Sequence, residues 1–304
     1  MKSFFLRLTA VLTFMALTIC LSNLTFAQQV ADPNFLPKAA RPTFTNKHPK
    51  VLFDEAHYNF HTAGGRYKPF AQLITADGYQ IISSKEKFSQ ALLQGYDILI
   101  IANALGEERG LSAFTDEECD AVLNWVQAGG SLLLIADHAP SGAAAKTLSM
   151  RFGVEMSTAY TGDRTYYDKS APGEIGQLVF TRGNNLLTDN AITKGRNATE
   201  RINRVITFTG QSLSIPKDSI AFLKLSDTAF DVMPPDEKKE VSAANRAQGV
   251  ALKLKKGRVI ILGEAAMLTA QLTAKEHRPM GMNYPNTDNQ QLALNIMHWL
   301  SRKL

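Results

Sequence analysis

Five short apolar runs, at 51–53, 79–82, 97–102, 131–136 and 258–263, alternate with stretches of helical apolar spacing, and this alternation limits the possible folds more than any other feature. Brief apolar runs bounded by turn signals are what strands buried on both faces look like, as in a parallel sheet. The helical patterns fall at about 66–76, 85–93, 115–128 and 141–152. Repeated βαβ order of this kind predicts an α/β fold: a flavodoxin-like, doubly wound parallel sheet, with strands in the order 2-1-3-4-5.

Helix starts and turns refine this outline. Thr115 precedes Glu118 by three residues, and Asp288 precedes Gln291 by three, so both pairs have capping-box spacing. The last helix, about 289–302, places Leu292, Ile296, Trp299 and Leu300 on one face, which should cover the sheet. Segment 249–254, then Lys255-Lys256-Gly257, then 258–262, reads as a hairpin feeding the last core strand. From about 154 to 248 the alternation breaks into short extended runs (177–181, 204–209) and a polar stretch (234–247), which reads as a β-rich insertion. The expected layout is therefore one domain over 50–304 carrying that insertion. A proline-punctuated lead-in at 28–49, with Pro33, Pro37, Pro42 and Pro49, precedes it.

Residues 1–27 have the pattern of a secretory signal peptide: Lys2 and Arg7, an apolar stretch from Leu8 to about Leu21, then Thr25-Phe26-Ala27 as a small-residue cleavage site. The stretch is too short and too rich in threonine for a stable membrane span. Cys20 could mark a lipoprotein site, but Ile19 is bulky where such sites need a small residue. Cleavage after Ala27 is expected, with the mature chain exported to a periplasmic or extracellular location. That cleavage removes two basic residues and no acidic one, lowering the formal net charge from +5 to +3. The remaining Lys and Arg are scattered, so nucleic acid is not an expected partner. Only Cys119 survives cleavage, which leaves no intramolecular disulfide.

In an open α/β sheet, ligands bind beyond the carboxyl ends of the strands where strand order reverses. Those positions hold an unusual concentration of ionisable side chains. After the first strand come Asp54, Glu55, His57, Asn59 and His61; after the third, Asn103; after the fourth, Asp137 and His138; after the fifth, Glu264. Unpaired charges at buried strand ends cost several kcal/mol, so a cluster there points to a site, although helix capping and loop bonding are the alternative for each residue. His138, Asp137, His57 and Glu264 are the catalytic candidates; Asp54, Glu55, His61 and Asn103 are ligand-binding candidates. The side chains of His57, His61, Asp137 and His138 should line one pocket and could together hold a divalent metal, as zinc hydrolases do. Thr62-Ala63-Gly64-Gly65-Arg66 opens a helix, and Gly64, Gly65 and Arg66 could hold an anion there; a tight turn is the alternative. The glycine spacing fits neither a dinucleotide loop nor a P-loop, so no nucleotide cofactor is expected. Cys119 shares a helix face with Val122 and Val126 and reads as core. Ser141 lies near His138 but has no G-x-S-x-G around it.

Three stretches, FTDEECDAVLNWVQAGGSLLLIADHAP, KKGRVIILGEAAM and DNQQLALNIMHWLS, resemble the class I glutamine amidotransferase-like superfamily. Within it they resemble an uncharacterised secreted group and the ThuA-like proteins of sugar metabolism; LLTDNAITKGR is similar to a loop common in the latter. The resemblance implies a flavodoxin-like sheet with its site at the carboxyl edge. It does not imply amidotransferase activity, because the elbow that carries the nucleophilic cysteine in those enzymes reads Ile135-Ala136-Asp137-His138-Ala139 here. ThuA-like proteins carry histidine near that turn, which singles out His138.

Two functions of the pocket follow as expectations, beside a purely structural envelope component that uses the insertion as a docking surface. One is an exported hydrolase for a small polar or carbohydrate substrate, with His138 as acid/base and Asp137 orienting it. The other is a non-catalytic module of the cell envelope that binds a sugar or an anion through the same pocket.

Overall fold

The computed structural model describes residues 29–171, 175–233, 239–273 and 276–304. The signal peptide at 1–27, its cleavage site, and residues 234–238 of the expected polar stretch lie outside the described residues.

Seven strands form the central sheet: β1 (Lys50–Asp54), β2 (Gln80–Ser84), β3 (Ile98–Ala102), β4 (Ser131–Ile135), β5 (Ile220–Lys224), β6 (Ala247–Leu254) and β7 (Gly257–Leu262). Their order is β2-β1-β3-β4-β7-β6-β5. The pairs from β2 to β7 are parallel, and β6 and β5 add an antiparallel edge, so the fold is α/β with a mixed, mostly parallel sheet. β3 and β4 are buried throughout, as their uninterrupted apolar runs require.

Side chains alternate across each strand and supply two separate cores. Val51, Phe53, Ile98, Ile100, Leu133 and Ile135 face one side. They pack with Phe70, Leu73 and Ile74 of α1 (Lys68–Ala76) and with Leu292, Ile296 and Trp299 of the last helix. Leu52, Leu99, Ile101, Leu132 and Leu134 face the other, against Cys119, Val122 and Val126 of α3 (Asp116–Ala128) and Ala144 and Leu148 of α4 (Ser141–Met150). Burying each such Leu, Ile, Val or Phe contributes about 1.5–3 kcal/mol relative to exposure.

Local signals decide several boundaries. Thr115 forms its capping box: its hydroxyl accepts from the Glu118 amide while Glu118 accepts from the Thr115 amide. The helix expected from 85 is a single turn, α2 (Gln90–Leu93). Ser89 caps it by accepting from the Leu92 amide, and the Phe88 amide is spent on the Glu118 carboxylate instead of a helical bond. The hairpin closes through Lys255-Lys256, with Lys255 at φ 50°, and a Cβ at Gly257 would lie 2.0 Å from the Val126 carbonyl oxygen.

Three features differ from the sequence reading. Asp288 makes no capping bond for the last helix, α6 (Asn289–Leu300; α5 is the single turn Ala191–Lys194), because its carboxylate accepts from the Asn203 and Arg204 amides. Residues 220–224, inside the expected insertion, form the edge strand β5. The lead-in also engages the domain: Val30–Ala31 pairs with Ala270–Leu272, and Phe44 packs edge-on to Tyr79 at a ring separation of 4.9 Å. Within 154–248, Tyr160–Asp163, Ala229–Val232 and Glu240–Ser242 form a separate three-stranded antiparallel sheet, and Val179–Thr181 pairs with Arg204–Ile206. Among the described residues, no helix is long and apolar enough to cross a membrane.

Candidate functional site

The chain leaves β1 toward β2 on one side and returns as β3 on the other, so strand order reverses between β1 and β3. The carboxyl ends of β1, β3, β4 and β7 open there onto a cavity of about 790 Å³. His61 and Arg66 reach it from the loop after β1, Asn103 and Arg109 from the loop after β3, Asp137 and His138 from the turn after β4, and Glu264 from the turn after β7. Asp54, Glu55, His57, Gly64 and Gly65 do not line it.

His57 departs most from expectation. Its Nδ1 lies 2.8 Å from Asp54 Oδ1 and its Nε2 2.9 Å from Glu118 Oε1, and its ring packs against Phe88 and Phe114 at 4.5 and 4.7 Å. Both ring nitrogens are thus committed to carboxylates in the core, and the residue is wholly buried. A local turn causes this: Asn59 accepts from the His57 amide and donates to Asp54, rotating the imidazole inward. Burial alone would raise the Glu118 carboxyl, but hydrogen bonds from the Thr115 amide, His57 and the Phe88 amide hold it below its usual range. His57 and Asp54 are therefore structural braces, not pocket residues. The His57 carbonyl also accepts from the Leu105 and Gly106 amides, fastening the loop after β3 to the loop after β1.

Glu55 and the glycines are also structural. Glu55 Oε1 accepts from the Ala63 amide and Ser83 hydroxyl. Gly65 closes a turn onto the Thr62 carbonyl, and a Cβ there would meet Thr62 Oγ1 at 2.6 Å. The turn reading, not the anion cradle, describes Gly64-Gly65.

Asn103 and Asp137 join the β3 and β4 turns reciprocally. Asn103 Nδ2 donates to Asp137 Oδ2 at 2.8 Å, and the Asp137 amide donates to Asn103 Oδ1 at 2.9 Å. Asn103 sits at φ 48°, a conformation that asparagine tolerates better than most residues. Asp137 Oδ1 accepts from the Ala265 amide at 3.0 Å, which ties in the β7 turn. Burial pushes the Asp137 carboxyl above its ordinary range, opposed by Asn103, the nearby His138 and the Ala265 amide. Glu264 accepts from the Ala266 and Met267 amides. Burial, followed by the charge on Asp137, drives it well above the usual carboxylate range. Two carboxyls in this relation resist ionising together, so the site can retain a proton.

The two cavity histidines differ. His61 is buried between the rings of Phe60 and Tyr67, at 5.1 and 4.8 Å, and its Nδ1 has no hydrogen-bond partner among the described residues. Burial and the charge on Arg66 lower its pKa to about 3, so it is neutral. His138 is partly exposed, 3.9 Å from the Tyr160 ring centroid, with Nδ1 2.9 Å from the Ala139 carbonyl oxygen. Since a carbonyl only accepts, Nδ1 carries the proton, and in the neutral ring Nε2 keeps a free lone pair. The expected orienting role of Asp137 is not met: Asp137 bonds Asn103 and Ala265, while Ala139 and Tyr160 fix His138.

Arg109, Phe208, Thr209, Gln271 and Met280 also line the cavity and escaped the sequence reading. The one local signal was Thr209-Gly210, consecutive residues at φ 76° and 77°. A Cβ on Gly210 would lie 2.4 Å from the Gly263 carbonyl oxygen, so glycine lets this segment run beside the β7 turn and deliver Phe208 to the cavity. Gln271 is buried, with Oε1 unpartnered among the described residues. Among the described residues, no group of three or more His, Cys, Asp or Glu side chains is arranged to hold a metal ion, so the four metal candidates do not fit one. A second cavity, of about 800 Å³ between residues 43–49 and 300–303, lies at the opposite, amino end of the sheet and gathers no comparable buried acids or histidines.

No protein-family model and no curated protein matches the sequence. Among solved structures, the mmIFT52 N-terminal domain superposes with a TM-score of 0.59 at 17% identity, covering 83% of this chain and 97% of that one. A ThuA-like protein from Bacteroides uniformis gives 0.43 at 16% identity, with 88% and 95% covered. A ThuA-like protein from Parabacteroides merdae gives 0.41 at 10%, with 84% and 91% covered. At these identities the likeness concerns the fold alone.

Proposed function

We propose that the chain is an exported, hydrolase-type enzyme for a small polar, carbohydrate-like substrate, with His138 as its acid/base. The observation that carries this reading is the fixed tautomer of His138: with Nδ1–H on the Ala139 carbonyl, Nε2 is a nitrogen with a free lone pair, unbonded among the described residues, on a residue that lines the cavity. Two features suit a polyol. Gln271 Oε1 and His61 Nδ1 are buried polar atoms without partners in a cavity wall, and buried polar atoms are seldom left unsatisfied. Phe208 and Met280 provide apolar surface for the face of a sugar ring. Asp137 and Glu264, which resist double ionisation, supply a second proton-holding position.

The same reading includes a flavodoxin-like sheet and a relation to the class I glutamine amidotransferase-like superfamily, supported by the order β2-β1-β3-β4-β7 and by the quoted sequence stretches. It also includes export, supported by the N-terminal pattern; sequencing of exported material should begin at Gln28.

A specific observation favours a second reading, a binding module without catalysis. Both Asp137 oxygens are engaged by Asn103 and Ala265, leaving no carboxylate on His138. Thermal-shift screening of neutral and acidic sugars, followed by turnover assays on their aryl glycosides and esters, separates the two. Turnover abolished by His138→Ala with binding retained supports the enzyme. A ligand shift with no turnover for any probe supports the binder.

A further inference from the structure

Several arginines of this chain are held by carboxylates: Arg151 bonds Asp116 and Asp120, Arg182 bonds Asp189, and Arg196 bonds Glu200. Arg66 and Arg109, the two that line the cavity, have none among the described residues. Arg66 is half-buried, and its guanidinium carbon lies 4.5 Å from the Phe60 ring centroid. Stacking of this kind fixes the plane of the guanidinium and leaves its edge N–H groups unspent. Arg109 stands at the rim on the loop after β3, which is pinned to the loop after β1 by the His57 carbonyl and by the Phe60 amide on the Asn103 carbonyl. The two cations are thus carried by two loops fastened together.

The side chain beside them does not neutralise them. His61 is uncharged, with Nδ1 unpartnered and 3% of the residue exposed. The carboxyls of the cavity belong to the other pair of turns, after β4 and β7. Asp137 is already bonded to Asn103 and Ala265, and Glu264 to the Ala266 and Met267 amides. The cavity is therefore polarised, with cations on the β1 and β3 loops and proton-holding groups with His138 on the β4 and β7 turns. A neutral polyol would pay the desolvation of Arg66 without an ionic partner, whereas a planar carboxylate or a phosphate accepts two parallel bonds from a fixed guanidinium.

We infer that the substrate is acidic, a sugar bearing a carboxylate or phosphate, whose anionic group is held by Arg66 and Arg109 while its reacting end lies toward His138. This rests on the cavity being the working site. His61 Nδ1, on the same loop as Arg66 and without a partner among the described residues, is a short-range donor or acceptor for the anionic group.

Isothermal titration of the mature chain with D-galacturonate, D-galactose 6-phosphate and D-galactose tests it. At least one anionic probe is expected to bind tenfold or more tightly than galactose, with an affinity that weakens as salt rises from 50 to 500 mM. Whether the uronate or the phosphate prevails identifies the anion. The variant Arg66→Gln/Arg109→Gln should lose that preference at least tenfold. If it does not fold by circular dichroism, Arg66→Lys serves instead: it keeps the charge, loses the planar fork, and should weaken the anionic probe alone. No preference for either anion, a salt-independent affinity, or an unchanged preference in the arginine variants would overturn the inference. Failure of the His138 reading shows differently: His138→Ala would then leave turnover unchanged while the anion preference persists.

Discussion

His57 and Glu118 stand 61 residues apart in sequence, yet the imidazole Nε2 and the carboxylate Oε1 meet at 2.9 Å, with Asp54 on the opposite ring nitrogen. The contact joins the loop after β1 to the first turn of α3, and Glu118 simultaneously closes the Thr115 capping box. Removing one member of a buried hydrogen-bonded ionic set leaves the others uncompensated and costs about 3–5 kcal/mol. His57→Ala should therefore lower the urea unfolding free energy by about that amount. Its ligand affinity, measured below the lowered melting temperature, should stay within about threefold of the parent, because His57 does not line the cavity. A hundredfold affinity loss at unchanged stability would contradict the bracing role.

Asn103 combines a left-handed backbone with two bonds to Asp137, and the two contributions can be separated. Asn103→Gly removes the bonds and accepts φ 48° without strain, so it should cost about 1–3 kcal/mol for an unsatisfied partly buried partner. Asn103→Ala adds roughly 1 kcal/mol of backbone strain. The expected order of stability in chemical denaturation is parent, then glycine, then alanine. Alanine equal to or better than glycine would mean that the turn does not depend on its backbone conformation.

The depressed pKa of His61 gives stability a signed pH dependence. The folded protein takes up this proton only near pH 3, whereas the unfolded chain takes it up near 6.5, so between those values the unfolded state binds more protons. This contribution is fully present above about pH 6.5, is lost as pH falls, and levels off below about 3. Its size is on the order of 5 kcal/mol. His61→Phe keeps the aromatic stack and removes the titration, so its unfolding free energy should fall less steeply than the parent's between pH 6.5 and 3.5. Parallel curves for the two proteins would refute the assignment.

Cys119 is enclosed on the inner face of α3, and burial pushes its thiol up to about 11. At neutral pH it is therefore the unreactive thiol form. Native protein should resist iodoacetamide and become labelled in urea. Cys119→Ser should cost on the order of 1 kcal/mol and leave ligand binding unchanged. Rapid labelling of the folded protein would show that the helix face is open.

Much of the architecture was legible from local pattern. The apolar runs at 51–53, 97–102 and 131–136 became β1, β3 and β4 because a strand buried on both faces needs uninterrupted apolar residues, a requirement visible in any short window. The Thr115 capping box, the Lys255-Lys256 hairpin and the burial of Cys119 follow from spacings of two to four residues. Such interactions close within one turn and depend little on the rest of the chain. Six of the cavity residues were legible too, since topology alone sends the carboxyl ends of neighbouring parallel strands to one edge.

Tertiary structure decided what those spacings leave degenerate. His57 and His61 lie four residues apart in one loop and offer the same imidazole; the Asn59 turn aims the first inward, and only the arrival of Glu118 from α3 gives that ring its second partner in the core, while the other remains at the cavity with a nitrogen unpartnered among the described residues. Asp288 has the spacing of a capping box, but the Asn203 and Arg204 amides compete for its carboxylate and win. Arg109 and Phe208 reach the cavity only because the His57 carbonyl anchors one loop and the close approach of Gly210 to Gly263 anchors the other. The sequence determined which segments become strands and helices and which strand ends gather ionisable groups, since those properties are set by neighbours along the chain. The fold determined which of those groups face a ligand, because each side chain's orientation depends on partners tens of residues away.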